Sequence, residues 1–168
     1  MSRIISRKKH KFILSIILML MLSLFIGECF ATPSYTSSTA TRNSIAYNWT
    51  FYAQGLLENN CLAYSIGNET DWIWPWGGSN PDLNQTLYWL QSVMGFTGQT
   101  YGSTPYQTCS VTAYGWSNNV THFARVLSSN STWATGTCRA KWGRYEIFSH
   151  SNLNPYTNAY GPLIVRFY

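Results

Sequence analysis

The stretch that decides the reading is Asn59-Asn60-Cys61-Leu62-Ala63-Tyr64-Ser65-Ile66-Gly67. Asparagine is a favoured helix cap and glycine a natural stop, so the run predicts a brief helix with a thiol in its first turn. A helix start favours thiolate over thiol, and thiolate is the nucleophilic form. Downstream, Val120-Thr121-His122-Phe123-Ala124-Arg125-Val126-Leu127 has β character and carries one histidine. Strict alternation would put Val120, His122, Ala124 and Val126 on one face, where a helix could pack and a base could reach the thiol. The expectation is a Cys61–His122 pair in which imidazole takes the proton and thiolate attacks a carbonyl. The plainer reading is a core histidine beside a buried cysteine.

Around this pair the other roles are assigned by chemistry. His150, at the end of Tyr145-Glu146-Ile147-Phe148-Ser149-His150, is the choice to orient the imidazole, with Lys141 and Thr135 as competitors. The Cys61 amide is the default oxyanion donor, because amides of a first helical turn lack internal partners. A Tyr47 hydroxyl is a weaker second donor. Trp72, Trp74 and Trp76 alternate ahead of Gly77 and Gly78, and either line a sugar- or peptide-binding groove or cover the core. No His-x-x-x-His or Cys-x-x-Cys spacing and no phosphate-cradling glycine motif is present, so neither metal nor cofactor is expected.

Residues 1–31 read as a secretory signal peptide. Arg3, Arg7, Lys8, Lys9 and Lys11 precede a nearly unbroken apolar run from Phe12 to Ile26, and Cys29-Phe30-Ala31 is a passable cleavage site. An uncleaved anchor is the alternative, although the run is short for a bilayer. The expected location is therefore secreted or cell-envelope, without stable membrane insertion of the mature chain. Of 11 Lys and Arg in 168 residues, the signal holds the five just named. What remains (Arg42, Arg125, Arg139, Lys141, Arg144, Arg166) nearly balances Glu58, Glu69, Asp71, Asp82 and Glu146. A nearly neutral chain gives no footprint for nucleic acid. An aromatic surface rich in Asn, Ser and Thr suits exported proteins that meet peptide or cell-wall polymer. The Asn-x-Thr sequons at Asn48, Asn68, Asn84, Asn119 and Asn130 are read as products of composition.

With Cys29 gone, Cys61, Cys109 and Cys138 remain, an odd number for an oxidising compartment. Cys109 and Cys138, in Thr- and Gly-rich sequence, are the pair expected to bridge, though sequence does not fix connectivity. Residues 32–45 look like a flexible Ser/Thr leader, and 46–168 a single domain by length. Asn80, Pro81, Leu83, Leu87, Leu90 and Met94, ended by Gly95, predict a second helix. Strands are expected at Val111–Tyr114, Val120–Leu127, Arg139–Trp142, Tyr145–Ser149 and Leu163–Phe167. Short helices followed by antiparallel strands define an α+β domain.

Asn60-Cys61-Leu62-Ala63-Tyr64, Trp72 and Trp74-Pro75, Gly95-Phe96, Thr121-His122-Phe123-Ala124-Arg125, and Ala140-Lys141-Trp142-Gly143 with His150 together resemble an uncharacterised, mostly bacterial family. Its marks are an Asn-Cys-x-Ala-Tyr/Trp-Ala start, a His-x-Ala-Arg strand and a Ser-Lys-Leu-Gly turn leading to a histidine. More distantly the order resembles NlpC-type cell-wall peptidases of the papain-like group. That resemblance implies a papain-like sheet with N-terminal helices, Cys61 as nucleophile and His122 as base. It departs where Asp-Cys-Ser-Gly gives way to Asn60-Cys61-Leu62-Ala63, and where Ser128–Cys138 lengthens the path to the third residue. The expected function is an exported cysteine hydrolase acting on an amide bond in cell-wall peptides. The alternatives are a non-catalytic module binding polymer through its Trp-rich loop, and a thiol transferase or toxin.

Overall fold

A computed structural model describes residues 36–168 except residue 107. The signal peptide and the start of the leader lie outside the described residues. Helix α1 (Thr39–Ile45) precedes strand β1 (Thr50–Ala53), helix α2 (Cys61–Ser65) and helix α3 (Leu83–Tyr88), which runs on as a π-helical turn over Trp89–Val93. Strands β2 (Gly98–Thr100), β3 (Val111–Trp116), β4 (Asn119–Ser129), β5 (Gly136–Lys141), β6 (Ile147–His150) and β7 (Leu163–Phe167) follow. They form one seven-stranded sheet in the order β1-β6-β5-β4-β3-β7-β2. Every pairing in it is antiparallel. The chain is thus α+β and mostly sheet.

Both faces of the sheet are covered, so its central strands are apolar on both sides. On one face α2, α3 and the Trp-rich loop pack Leu62, Leu90 and Trp76 over Val111, Phe123 and Phe167. On the other, α1 and the 151–162 loop pack Ile45, Leu153 and Tyr156 over Tyr114, Ala124 and Trp142. Which face a β4 residue meets is set by a bulge. Tyr114 pairs with His122 but Gly115 pairs with Val120, leaving Thr121 as an extra residue. One extra residue reverses the alternation. Val120 therefore joins Phe123, while His122, Ala124 and Val126 turn to the opposite face. The expected grouping of Val120 with His122 fails for this reason. Gly115 has φ 132°, and a Cβ there would strike the Asn119 carbonyl, so the bulge requires glycine.

The N-terminal leader is another difference. Residues 36–45 are not loose: Ser38 caps α1 by accepting from the Thr41 amide, and Arg42 is buried. Burial alone would raise the Glu146 carboxyl, but hydrogen bonds from its own amide, Thr36 and Ser37 outweigh it and hold it below the usual range. The second helix starts two residues later than its expected cap. Asp82 and Gln85 form a capping box, and Asn80 instead donates to Asn119 Oδ1 at 3.0 Å.

Candidate active site

Helix α2 is one turn long and held at both ends by side chains. Asn60 Oδ1 accepts from the Ala63 amide at 2.9 Å, and its Nδ2 donates to the Ile73 carbonyl at 2.7 Å. One residue therefore caps the helix and ties down the Trp-rich loop. At the other end Arg125 donates from Nε and Nη2 to the Tyr64 carbonyl, at 3.1 and 2.6 Å. Its guanidinium also lies over the Tyr64 ring and pairs with Glu69. A five-residue helix gains little from propagation, so these tertiary clamps hold Cys61 in place.

The Cys61 sulfur sits where the sheet opens. The β4–β5 ladder runs only from Arg125↔Arg139 to Ser129↔Gly136. Val126 donates its amide to Ser110 beside β3, so the alternating amides of Arg125 and Phe123 aim at the β5 side. At Phe123 no β5 residue is paired, and the Phe123 backbone is hydrogen-bonded to the sulfur instead. Burial pushes the thiol up to about 11, against hydrogen bonding from the backbone of Phe123, Leu62 and Cys61 itself and the nearby charge of Lys141. At rest the group is a protonated thiol.

Cys61 also borders a cleft of about 340 Å³ with Asn60, Trp72, Trp74, Gly77, Gly78, Asn80 and Gly143. Of the three expected groove tryptophans, Trp72 is half exposed at this cleft, with the Arg144 guanidinium 6.0 Å from its ring. Trp74 lines the cleft and is fixed by its indole N–H to the Ser79 carbonyl at 3.1 Å. Trp76 does not line it; the ring stacks on Phe123 with centroids 6.1 Å apart and covers the core.

His122 belongs to the other face. Directly across from Tyr114, it stacks flat on Tyr160 at 3.9 Å and meets the Tyr156 ring edge-on. Its Nε2 is buried without a hydrogen-bond partner among the described residues. Burial, then the neighbouring His150, hold its basicity well below the ordinary value. Tyr156 and Tyr160, the two rings packed on His122, both lie within electrostatic reach of Cys61. His150 gives its Nδ1–H to the Asn48 carbonyl at 2.6 Å, which leaves Nε2 to accept from the Tyr156 hydroxyl at 3.2 Å. Both ring nitrogens are taken, so it reaches His122 through Tyr156 rather than directly. Burial lowers its pKa to about 4.

Tyr47 is exposed, its amide bonded to the Pro155 carbonyl, and Thr135 lies in a turn that bonds back to Thr132. Lys141, ranked only as a competitor from sequence, is fully buried on the Cys61 face. Its signal was the alternation in Arg139-Ala140-Lys141-Trp142, which sends both cations to one side of β5.

The expected Cys109–Cys138 bridge is not formed: both are free buried thiols. Cys138 lies within the paired strand β5 rather than a loop, and its sulfur meets the Tyr114 hydroxyl at 3.7 Å and the Asn152 carbonyl at 3.5 Å. Among the described residues no three His, Cys, Asp or Glu side chains converge as a metal would require. No described helix is long and apolar enough to cross a membrane.

Comparison with known proteins found no match among curated proteins and none among solved structures. A family model described as a domain of unknown function, DUF7689, matches residues 53–168, which include α2, the cleft and all strands from β2 onward. The chain belongs to the DUF7689 family.

Proposed function

We propose that this chain is an exported thiol hydrolase that cleaves an amide bond in a peptide, with the stem peptides of cell walls as the substrate class. The observation that carries the reading is Cys61 as first residue of a clamped helix, set against backbone amides and opening on a tryptophan-walled cleft. Those amides would hold the developing oxyanion of a bound carbonyl. Two nitrogen bases stand in its neighbourhood: Lys141, whose charge acts on the sulfur, and His122, next in the chain to the Phe123 backbone that hydrogen-bonds it. A cysteine-bearing helix laid on an antiparallel sheet favours a papain-like relationship, as the motif order does. Apolar leader sequence supports export.

The experiment is turnover of a panel of stem-peptide amides by wild type and Cys61→Ala. Cleavage by the wild type alone is expected, and equal rates would contradict the reading. A second reading, a binding module, draws support from the half-exposed Trp72 and the protonated thiol. Under it, peptidoglycan binding would fall in Trp72→Ala and persist in Cys61→Ala, with no turnover in either.

A further inference from the structure

We infer that Lys141 is the base that takes the Cys61 proton. The inference rests on Cys61 being the nucleophile and concerns the group that activates it. Arg139 and Lys141 share one face of β5, and Arg139 is hydrogen-bonded to the Tyr64 side chain of α2. That places Lys141 on the α2 side of β5, two residues along the strand from Arg139. Its stem runs against the backbone at Gly55, where an added Cβ would stand 3.2 Å from Cε. Its Nζ donates to the carbonyl of Gly143, and Gly143 and Cys61 border the same cleft.

An ammonium carries three donors, and among the described residues the Gly143 carbonyl is its one hydrogen-bond acceptor. No carboxylate among the described residues stands within ion-pairing distance of it, although the lysine is fully buried. A lysine in such a place is inclined to give up its charge unless an anion forms beside it. The groups that act on it are Cys61, Glu58 and Arg144, the first two favouring its charged form and Arg144 opposing it. Burial raises the thiol to about 11 and holds the lysine below its ordinary value. The thiol is therefore the weaker acid of the two and gives up its proton only as sulfur bonds to carbon. The imidazole of His122, held far below both, is poorly matched to a thiol raised to about 11.

The step balances without a further reactant. The thiol proton passes from Sγ to Nζ as sulfur bonds to the carbonyl carbon. The ammonium then returns that proton to the departing amine as the C–N bond breaks. Water hydrolyses the remaining thioester, releasing the acid and restoring the thiol.

The test uses iodoacetamide, which reads thiolate without needing the natural substrate. Alkylation of Cys61 in the folded chain, followed by peptide mass spectrometry, is compared across variants at about pH 8. Lys141→Met is expected to slow it at least about tenfold, a shift of one pKa unit or more. Lys141→Arg keeps the cation but cannot accept a proton, so it should stay as slow as Lys141→Met, and recovery there would overturn the inference; His122→Gln should leave the rate unchanged. Wild-type reactivity in Lys141→Met would overturn the inference. Should that variant fail to fold by circular dichroism, His122→Gln decides: a tenfold loss in folded His122→Gln overturns it, and an unchanged rate supports it. Lysine-dependent alkylation without any peptide turnover would sink the hydrolase reading and leave the Cys61–Lys141 couple standing.

Discussion

At the scale of single residues, Cys61 combines poor resting acidity with a place at the start of a clamped helix beside the tryptophan cleft. Its sulfur is hydrogen-bonded to the Phe123 backbone, at a position of β4 that pairs with no residue of β5. Cys61→Ser keeps the shape and loses the soft nucleophile. Turnover should drop by roughly a thousandfold or more, with the midpoint of thermal unfolding nearly unchanged. Asn60 is the residue whose loss is felt twice, since it caps α2 and holds the Ile73 carbonyl. Asn60→Ala should cost about 1–2 kcal/mol in chemical denaturation. It should also raise KM more than it lowers kcat, because the Trp72–Trp74 wall is released.

At the scale of elements, the sheet's bulge governs what each side chain can do. Cys61 and His122 were both legible from sequence, one by its cap and stop, the other by its β-type neighbours. The face that Val120 takes was not, because alternation assumes an unbroken ladder and Thr121 breaks it. The apolar, β-branched strands β4 and β7 stood out for the same reason that capped helices did: their local signals agree with their tertiary place. Strand β2 and helix α1 are short and polar, β1 is only four residues long, and only their partners make them regular. Cys138 sits in Thr- and Gly-rich sequence that reads as loop yet pairs on both sides within β5. Phe123 is the element-scale keystone, fully buried beneath α2 and in ring contact with Trp74 and Trp76. Phe123→Ala should lower stability by about 3–5 kcal/mol in urea titration and loosen the cleft with it.

At the scale of the whole molecule, the two sheet faces have different chemistry. One holds the thiol, its lysine and the tryptophan cleft; the other buries His122 and His150 among Tyr114, Tyr156 and Tyr160. Both histidines are depressed in the folded state, so folding favours their neutral forms. Their contribution to stability is complete above the unfolded value of 6.5 and is lost as pH falls toward about 4, where His150 titrates in the native chain. His150 alone accounts for roughly 3 kcal/mol over that window. Unfolding midpoints should therefore fall steeply between those limits, and His150→Gln should flatten the curve. An equal slope in that variant would show that other groups set the acid limit. The buried histidines stay neutral, whereas a cation on the thiol face can be matched by a thiolate.

The most direct test is to find where an acyl group lands. Native protein is mixed with p-nitrophenyl acetate, quenched in acid, digested, and each cysteine peptide is weighed. An acetyl group on Cys61 that appears with the burst of nitrophenolate, and is absent from Cys109 and Cys138, is the expected result. An unmodified Cys61 in folded protein, or acetylation no greater there than at the other two thiols, would contradict the account.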